Sequence, residues 1–314
     1  MSIAVLKPGF CTTFQDAGRT GYQHIGVPVN GPMDFLAQQM ANLLVGNALG
    51  LGTLEMTLVG PVLRFDAGAL IAIAGADLGA TLDGETLPAN LAVRVKPGAM
   101  LEFGQRKAGA RAYLAVAGGF TATPVLGSVS TYRRGAYDGV QGRALVAGDR
   151  LGIASSFRNA PKIVLPTGLT RSIEHEASLP VRIIPGSEWE AFAEQARQAL
   201  LGSEYSIGND SERMGYRLQG AALSLRQPLE LLSEAVTFGT VQVPPSGQPI
   251  VLMADRQTTG GYPRIATVIS VDLPLLAQRL PGDSVRFELT TLEQAQRLAV
   301  KRARMLAQLE REHA

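Results

Sequence analysis

Short apolar runs separated by turn residues dominate the first half of the chain. Examples are residues 62–65, 70–73, 91–95 and 112–116, with turn signals such as Asp83-Gly84 and Lys96-Pro97-Gly98 between them. Apolar runs of this length, bounded by Gly, Pro and Asp, are typical of β-strands. Their regular recurrence from residue 54 to about residue 153 predicts a β-barrel or sandwich.

Three segments have the spacing of helices instead. The first follows Asp34, carries Leu36, Met40, Leu43 and Leu44 on one face and stops at Gly46-Asn47. The second runs from about residue 188 to 202 and follows a capping box formed by Ser187 and Glu190. The third begins at Thr290, which forms a capping box with Glu293. Capping residues placed before apolar periodicity predict helix starts at these three points.

The second half of the chain returns to strands, predicted at 181–184, 223–225 and 236–238. Between residues 155 and 180 the strand rhythm weakens and prolines accumulate, so we place a domain boundary between residues 158 and 159. The prediction is a mainly β protein with a few helices (α+β). Residues 1–158 form a first β-barrel subdomain, and residues 159–314 form a second with the C-terminal helix.

Composition narrows the functional classes. The 314 residues are 46% hydrophobic and 18% charged, with a net charge of +2, which indicates a globular protein and gives no electrostatic reason to expect nucleic acid. Cys11 is the single cysteine, which excludes an internal disulfide. The first nine residues do not resemble a secretory signal and the most apolar stretch is too short to span a bilayer, so we expect a cytoplasmic protein without membrane contact.

No metal site is expected. His175 stands between Glu174 and Glu176, but a second ligand group at suitable spacing is missing.

One polar stretch near residue 260 interrupts two apolar runs and is dense in groups that bind anions. It contains Arg256, Gln257, Thr258, Thr259, Gly260, Gly261, Tyr262 and Arg264. Arginine offers forked donors to carboxylate or phosphate, and a glycine pair permits positive φ and close approach of backbone N–H groups. The alternative is a β-hairpin whose glycines make the turn and whose arginines face water. The pattern leaves both interpretations open, since it matches neither a P-loop nor a dinucleotide fingerprint.

A short pattern occurs twice. Residues 19–26 and residues 213–220 share the form R-x-G-Y-x-x-x-G. This indicates an internal duplication, with two similar β-barrel halves whose polar loops meet across a cleft.

Four motifs together resemble one family. They are Thr12-Thr13-Phe14-Gln15-Asp16-Ala17-Gly18-Arg19, Ala41-Asn42-Leu43-Leu44-Val45-Gly46-Asn47, Arg213-Met214-Gly215-Tyr216-Arg217-Leu218 and Gln257-Thr258-Thr259-Gly260-Gly261-Tyr262-Pro263. In this order they are similar to the KipA/allophanate hydrolase subunit 2 family, whose bacterial members include the C subunit of 5-oxoprolinase (PxpC).

The resemblance implies two cyclophilin-like β-barrel subdomains and a complex with a KipI/PxpB-like subunit. With a PxpA-like subunit, such a complex resembles an ATP-dependent 5-oxoprolinase that converts 5-oxo-L-proline to L-glutamate. Two alternatives remain. The chain is also similar to the carboxyltransferase half of a urea or amide carboxylase, and to a non-catalytic KipA-like regulator that binds a KipI-like kinase inhibitor.

ATP is therefore the expected co-substrate, shared with partner subunits. No G-x-x-x-x-G-K-[ST] occurs, so nucleotide binding does not use a Walker A loop. No Ala-Met-Lys-Met run occurs either, so no covalently attached biotin is expected on this chain.

We expect the stretch from Arg256 to Gly261 to hold an anionic group, because opening an amide with ATP develops negative charge that cations and N–H donors stabilise. Arg19 and Arg213 are candidate further clamps, and the pocket is expected to be shaped by Tyr22, Tyr216 and Tyr262.

Acid–base candidates are Asp16, Asp34, Asp255 and His24. Each also has a structural interpretation: Asp34 can cap its helix, Asp255 can pair with an arginine, and His24 can hold a loop.

Overall fold

The computed structural model describes residues 1–88, 90–137, 142–154, 163, 165–166, 169 and 178–313. The chain divides into two compact units. The first comprises Met1–Arg19, Asn30–Glu176 and Met305–Ala314, and the second comprises Thr20–Val29 and Ala177–Arg304. The boundary predicted between residues 158 and 159 lies outside the described residues, as do residues 174–176.

The first unit contains two antiparallel sheets. One has the order β11-β12-β1-β4-β9-β6-β7 and the other has the order β2-β3-β10-β5-β8. The strands are β1 (Ser2–Lys7), β2 (Cys11–Gln15), β3 (Thr53–Thr57), β4 (Val62–Phe65), β5 (Ala69–Asp77), β6 (Ala80–Leu82), β7 (Glu85–Thr86), β8 (Ala92–Val95), β9 (Met100–Phe103), β10 (Ala108–Val116), β11 (Phe120–Thr121) and β12 (Arg150–Ile153).

The central strands of the second of these sheets are buried on both faces. On β5, Ile71 and Ile73 join a core shared with the other sheet, whereas Leu70 and Ala72 face a separate core built around helix α1 (Phe35–Leu44). Because successive side chains of a strand point to opposite faces, two buried faces require a continuous apolar run. This explains why β5 reads as an uninterrupted apolar segment in the sequence.

Helix α1 begins where the sequence predicts. Asp34 Oδ1 accepts a hydrogen bond of 2.9 Å from the Ala37 N–H, and Gly46 follows the last turn at φ 74°. A side-chain cap of this kind is worth about 1 kcal/mol of stability. The cap also fixes the point at which the chain leaves the Asn30–Asp34 loop.

The second unit is organised around an eight-stranded sheet with the order β21-β14-β15-β18-β17-β20-β13-β22, in which only the β13–β22 pair is parallel. A two-stranded ladder joins β16 to β19. The strands are β13 (Val181–Pro185), β14 (Tyr205–Ile207), β15 (Gly215–Gln219), β16 (Glu234–Ala235), β17 (Thr240–Gln242), β18 (Ile250–Leu252), β19 (Thr259–Gly260), β20 (Arg264–Val268), β21 (Ser284–Val285) and β22 (Phe287–Leu289).

The residues that the structure describes contain few helices. Besides α1 these are two short 3₁₀ helices, Gln23–Ile25 and Trp189–Ala191, and α2 (Glu194–Gly202), α3 (Leu273–Ala277) and α4 (Leu292–His313). The mainly β class with a few helices is confirmed. Within the described part of the chain, no helix combines the length and apolar character needed to cross a membrane.

The predicted start of the second helix is wrong. Residues 189–191 form a 3₁₀ turn and α2 begins only at Glu194. Ala193 N–H donates to Ser224 O and Arg226 N–H donates to Ala191 O. Phe192 therefore pairs with Leu225 in extended form, between the 3₁₀ turn and α2. That tertiary pairing delays the helix.

The last helix is capped by Thr291 and not by Thr290, since Gln294 N–H donates to Thr291 Oγ1 at 3.2 Å. Thr290 is held in the sheet because its N–H donates to Ile183 O. Two predicted strands are also wrong. Residues 223–225 form only an isolated bridge, and residues 236–238 enter a turn that Gly239 completes at φ 90°.

Candidate functional site

The polar stretch between Arg256 and Tyr262 connects two strands that do not pair with each other. Strands β18 and β20 both pair with β17, which lies between them. The β-hairpin interpretation of this stretch is therefore wrong. The connection passes from one side of β17 to the other, and this brings its residues over side chains of that strand.

A short ladder anchors this connection to the preceding segment of the chain. Glu234 pairs with Gly260 and Ala235 pairs with Thr259, while Val236 N–H donates to Thr258 O at 3.1 Å. Three consecutive backbone interactions hold the connection in one place. We call residues Arg256 to Gly261 the anion loop from here on.

The glycine pair allows close packing and is not used for positive φ. Neither Gly260 nor Gly261 has positive φ. A Cβ on Gly260 would lie 2.5 Å from Gln242 Nε2, and a Cβ on Gly261 would lie 3.3 Å from both Leu231 O and Ser233 Oγ. The carboxamide of Gln242 thus packs directly against the backbone of Gly260, and a side chain at residue 260 would displace it.

Arg256 is a buried cation that forms no ion pair within the described part of the chain. Its residue is 8% exposed, its Nε–H donates to Val236 O at the long distance of 3.5 Å, and its guanidinium lies 5.9 Å from the centre of the Phe238 ring. No described carboxylate forms an ion pair with it. Burial lowers the pKa of Arg256 to about 10, against a smaller opposing effect of Asp255. A buried guanidinium with unused donors is suited to bind an anion.

Arg264, in contrast, is fully engaged. Its guanidinium donates to Glu188 Oε1 and Oε2 at 2.8 and 2.9 Å and to Glu234 Oε2 at 2.7 Å. Burial alone raises the pKa of Glu188, but hydrogen bonds from Arg264 outweigh it and hold that pKa at about 2. Arg264 therefore anchors the start of β20 through these ion pairs, and its charge is already balanced by two carboxylates.

The expected clamp at Arg213 is also engaged. Its Nε–H and Nη2 donate to the two carboxylate oxygens of Asp255 at 2.9 and 3.0 Å, and Asp255 N–H donates to Arg213 O. This two-point ion pair compensates both charges, and it is the pairing of Asp255 with an arginine that the sequence left open as an alternative to an acid–base role. Tyr216, in strand β15, is buried and donates its hydroxyl to Arg279 O.

Asp16 and Arg19 lie in the first unit, inside a buried polar cluster. The Asp16 carboxylate accepts hydrogen bonds of 2.6 to 2.9 Å from the hydroxyls of Ser128 and Ser130 and from the backbone N–H groups of Gly18 and Val129. These bonds tie the end of β2 to the segment at residues 128–130.

The guanidinium of Arg19 is 1% exposed and donates to Asn30 Oδ1 and Ser130 O. It also lies 4.9 Å from the centre of the Tyr137 ring. Both partners belong to the first unit, so within that unit Arg19 joins the Asn30 loop to the segment at Ser130.

Asp34 belongs to a second buried group in the first unit. Its N–H donates to the Tyr113 hydroxyl at 2.8 Å, and that hydroxyl donates to Glu55 Oε2 at 2.6 Å. Met33 N–H donates to the same Glu55 oxygen. Burial, followed by the charge of Glu55, raises the pKa of Tyr113 well above its usual range. The role that the structure shows for the Asp34 carboxylate is the helix cap.

Tyr22 and His24 lie in the second unit. Tyr22 is partly buried and precedes the 3₁₀ helix Gln23–Ile25, in which His24 is exposed. The two copies of the R-x-G-Y pattern thus differ locally, because Tyr216 is in a strand and Tyr22 is not.

A cavity of about 690 Å³ opens beside the anion loop in the second unit. Tyr262 forms part of its wall with 47% of its surface exposed, and Gly261 contributes backbone. The remaining lining residues are mostly apolar and comprise Leu223, Ser224, Leu225, Pro228, Leu229, Glu230, Leu231, Val243, Pro244, Pro245 and Pro263. This volume is within the range of small-molecule sites.

Comparison with known proteins identifies the family. The sequence model of one protein family, described as carboxyltransferase domain, subdomain A and B, matches residues 25–289. The chain belongs to the carboxyltransferase-domain family. The predicted resemblance is thereby confirmed.

Individual members of this family match over nearly the whole chain. It is 40% identical to the C subunit of 5-oxoprolinase from Haemophilus influenzae, covering 95% of this chain and 94% of the relative. It is 38% identical to the C subunit of 5-oxoprolinase from Escherichia coli, covering 98% and 97%.

Among solved structures, urea carboxylase of Kluyveromyces lactis superposes with a TM-score of 0.91 at 28% identity. That match covers 98% of this chain and 29% of the urea carboxylase, so the chain spans less than a third of that protein.

The sequence did not predict that Gln242 contacts the anion loop. Gln242 is 1% exposed and contacts Gly260 from strand β17. In the sequence Gln242 is one of two polar residues that alternate with valines in Thr240-Val241-Gln242-Val243, and this pattern does not identify the loop it contacts.

Proposed function

We propose that this chain is the C subunit of an ATP-dependent 5-oxoprolinase that converts 5-oxo-L-proline to L-glutamate. Its relatives with near-complete coverage of both chains carry that subunit name. Their naming as subunits also supports an assembly of several chains, for which we propose KipI/PxpB-like and PxpA-like partners.

The single observation that carries a substrate-binding role is the state of Arg256. Its buried guanidinium has no ion pair with any described carboxylate, whereas Arg213 pairs with Asp255 and Arg264 pairs with both Glu188 and Glu234. In this proposal the carboxylate of 5-oxoproline pairs with Arg256, which offsets the desolvation of both charges. Gly261 and Tyr262 line the neighbouring cavity, and in this proposal that cavity is where the acid enters.

Opening the lactam needs activation because an amide is a poor electrophile. Transfer of the γ-phosphoryl group of ATP to the amide oxygen, with release of ADP, makes the ring carbon electrophilic. Water then adds to that carbon, the C–N bond breaks as the nitrogen is protonated, and a second water hydrolyses the resulting acyl phosphate to glutamate and phosphate. The anion loop can hold a single carboxylate or phosphate group but has no P-loop spacing, so ATP is shared with the partner subunits.

Reconstitution tests the proposal. We expect ATP hydrolysis that depends on 5-oxoproline, with formation of glutamate, when this chain is combined with its KipI/PxpB-like and PxpA-like partners. The activity should disappear when this chain is omitted. A complete assembly that does not turn over 5-oxoproline would overturn the proposal, and stable partner binding without turnover of any substrate would indicate the KipA-like regulator.

Arg256→Met is the decisive variant in that assembly. Loss of a charge-assisted, two-point contact is expected to lower kcat/KM for 5-oxoproline by about 100-fold, while complex formation stays intact. Arg217→Gln is the matched control, since Arg217 pairs with Asp210 at the exposed surface of the same unit. Wild-type turnover by Arg256→Met would remove the anion loop from the reaction.

A second candidate function is the carboxyltransferase half of a urea or amide carboxylase. The family model and the superposition on urea carboxylase support it. It requires a separate carboxylase and a biotin carrier, since this chain has no biotin-attachment motif. Biotin-dependent carboxylation of urea by the chain with such partners, in the absence of 5-oxoproline turnover, would favour this candidate.

A further inference from the structure

Gln242 stands at an irregular position of its strand. The pairing of β17 with β20 shifts register between Val241 and Gln242, because Val241 faces Ala266 while Gln242 faces Arg264. Such bulges re-aim side chains and are over-represented next to active sites. Here Gln242, at the shift, contacts Gly260 of the anion loop.

The hydrogen bonds of Gln242 are unusually long for a buried side chain. Its Nε2 donates to Tyr262 O at 3.4 Å, and its Oε1 accepts from Gln257 Nε2 at 3.5 Å. Good hydrogen bonds to nitrogen donors are about 2.9 Å long, and a carboxamide can donate two and accept two. A fully buried amide with two weak bonds retains most of its hydrogen-bonding capacity for another group.

The anion loop is shaped to bring this carboxamide close. Gly260 lacks the Cβ that would lie 2.5 Å from Gln242 Nε2, and Gln257, the neighbour of Arg256, contacts Gln242 Oε1. Gln242 and the cationic Arg256 therefore flank the same short segment of chain. One offers an amide and the other a positive charge.

We propose that the Gln242 carboxamide recognises the amide group of the substrate. The proposal rests on the function proposed above and specifies the ligand class as a small acid that carries a lactam or carboxamide. A lactam presents its N–H and C=O on the same side, so it can form a pair of hydrogen bonds with a side-chain carboxamide. The carboxylate of the same ligand pairs with Arg256.

Three ligands separate the two contacts in the reconstituted enzyme. They are 5-oxo-L-proline, 2-pyrrolidinone, which has the lactam but no carboxylate, and tetrahydrofuran-2-carboxylate, which has the carboxylate but no amide. Affinities are measured as KM for the substrate and as inhibition constants for the analogues. Gln248→Met is the matched control, since Gln248 forms hydrogen bonds of 2.9 and 3.2 Å with Gly220 on a different loop.

Gln242→Met is expected to weaken 5-oxoproline and 2-pyrrolidinone by about 10- to 100-fold and to leave tetrahydrofuran-2-carboxylate unchanged. Arg256→Met is expected to weaken 5-oxoproline and tetrahydrofuran-2-carboxylate and to leave 2-pyrrolidinone unchanged. A residue that only packs against Gly260 would not produce this division between ligands.

Two further variants guard against misfolding of Gln242→Met. Gln242→Glu keeps the side-chain shape but loses the donor, and it should weaken the two lactams. Gly260→Ala pushes the carboxamide away and should not add to the effect of Gln242→Met, because both act through one group.

Equal behaviour of Gln242→Met and wild type towards 2-pyrrolidinone would overturn this inference while the proposed function stands. Absence of 5-oxoproline binding and turnover in the wild-type assembly would overturn both.

Discussion

Replacing Arg256 by methionine should stabilise the ligand-free protein while it removes anion binding. Burial lowers the pKa of Arg256 to about 10 from its ordinary value of 12.5. Because one pKa unit corresponds to about 1.4 kcal/mol, keeping this charge in the fold costs about 3 kcal/mol at neutral pH. The cost is fully present below the folded-state pKa and declines as the pH rises from about 10 towards 12.5.

Part of that gain is offset by lost contacts. The guanidinium lies 5.9 Å from the centre of the Phe238 ring, a cation–π contact worth about 0.5 to 1 kcal/mol. Methionine retains the apolar stem of the side chain, so its packing is largely preserved. We expect the free energy of unfolding to rise by about 1 to 2 kcal/mol in Arg256→Met, a gain of the kind that accompanies loss of a functional group.

Urea unfolding at pH 7 measures this change. Trp189 is the only tryptophan and lies in the second unit with Arg256, so its fluorescence reports on that unit. The midpoint should rise at constant m-value, and added 5-oxoproline should stabilise the wild type but not the variant. If Arg256→Met is destabilised by about 1 kcal/mol or more at constant m, the cation is a satisfied structural group and the reasoning fails.

Three other predictions concern stability. Glu188→Gln should lower the free energy of unfolding by about 3 kcal/mol at pH 7. Because the folded-state pKa of Glu188 is depressed, its contribution to stability is complete above pH 4.5 and is lost as the pH falls towards 2. The urea midpoints of variant and wild type should therefore converge in acid, and a difference independent of pH would refute the pairing with Arg264. Tyr113→Phe should cost about 2 kcal/mol by circular dichroism because it removes a donor to buried Glu55, and an unchanged midpoint would contradict it. Thr291→Ala should cost about 1 kcal/mol in thermal unfolding, Thr291→Ser should restore it, and failure of that rescue would show that the hydroxyl is not the cap.

Local patterns in the chain were enough to predict its class and several of its elements. The strand at residues 69–77 follows from an apolar run with turns at both ends, and α1 follows from Asp34 and a periodic apolar face. These elements depend on residues that are close in the sequence, because side-chain alternation and helix capping act between such residues. Elements that depend on distant partners failed, as at Thr290, which β13 holds in the sheet.

Only the tertiary structure determined which of the candidate arginines form ion pairs with carboxylates. In the sequence Arg213, Arg256 and Arg264 are equally plausible anion ligands, since all three have the same side chain. The fold places Glu188, 76 residues away, against Arg264 and Asp255, 42 residues away, against Arg213. Arg256 receives no such ion-pair partner among the described residues, and a buried guanidinium of this kind is suited to pair with an anionic ligand. These charge pairs form because β15 lies next to β18 and β13 lies next to β20, and residues close together in the sequence do not determine which strands become neighbours.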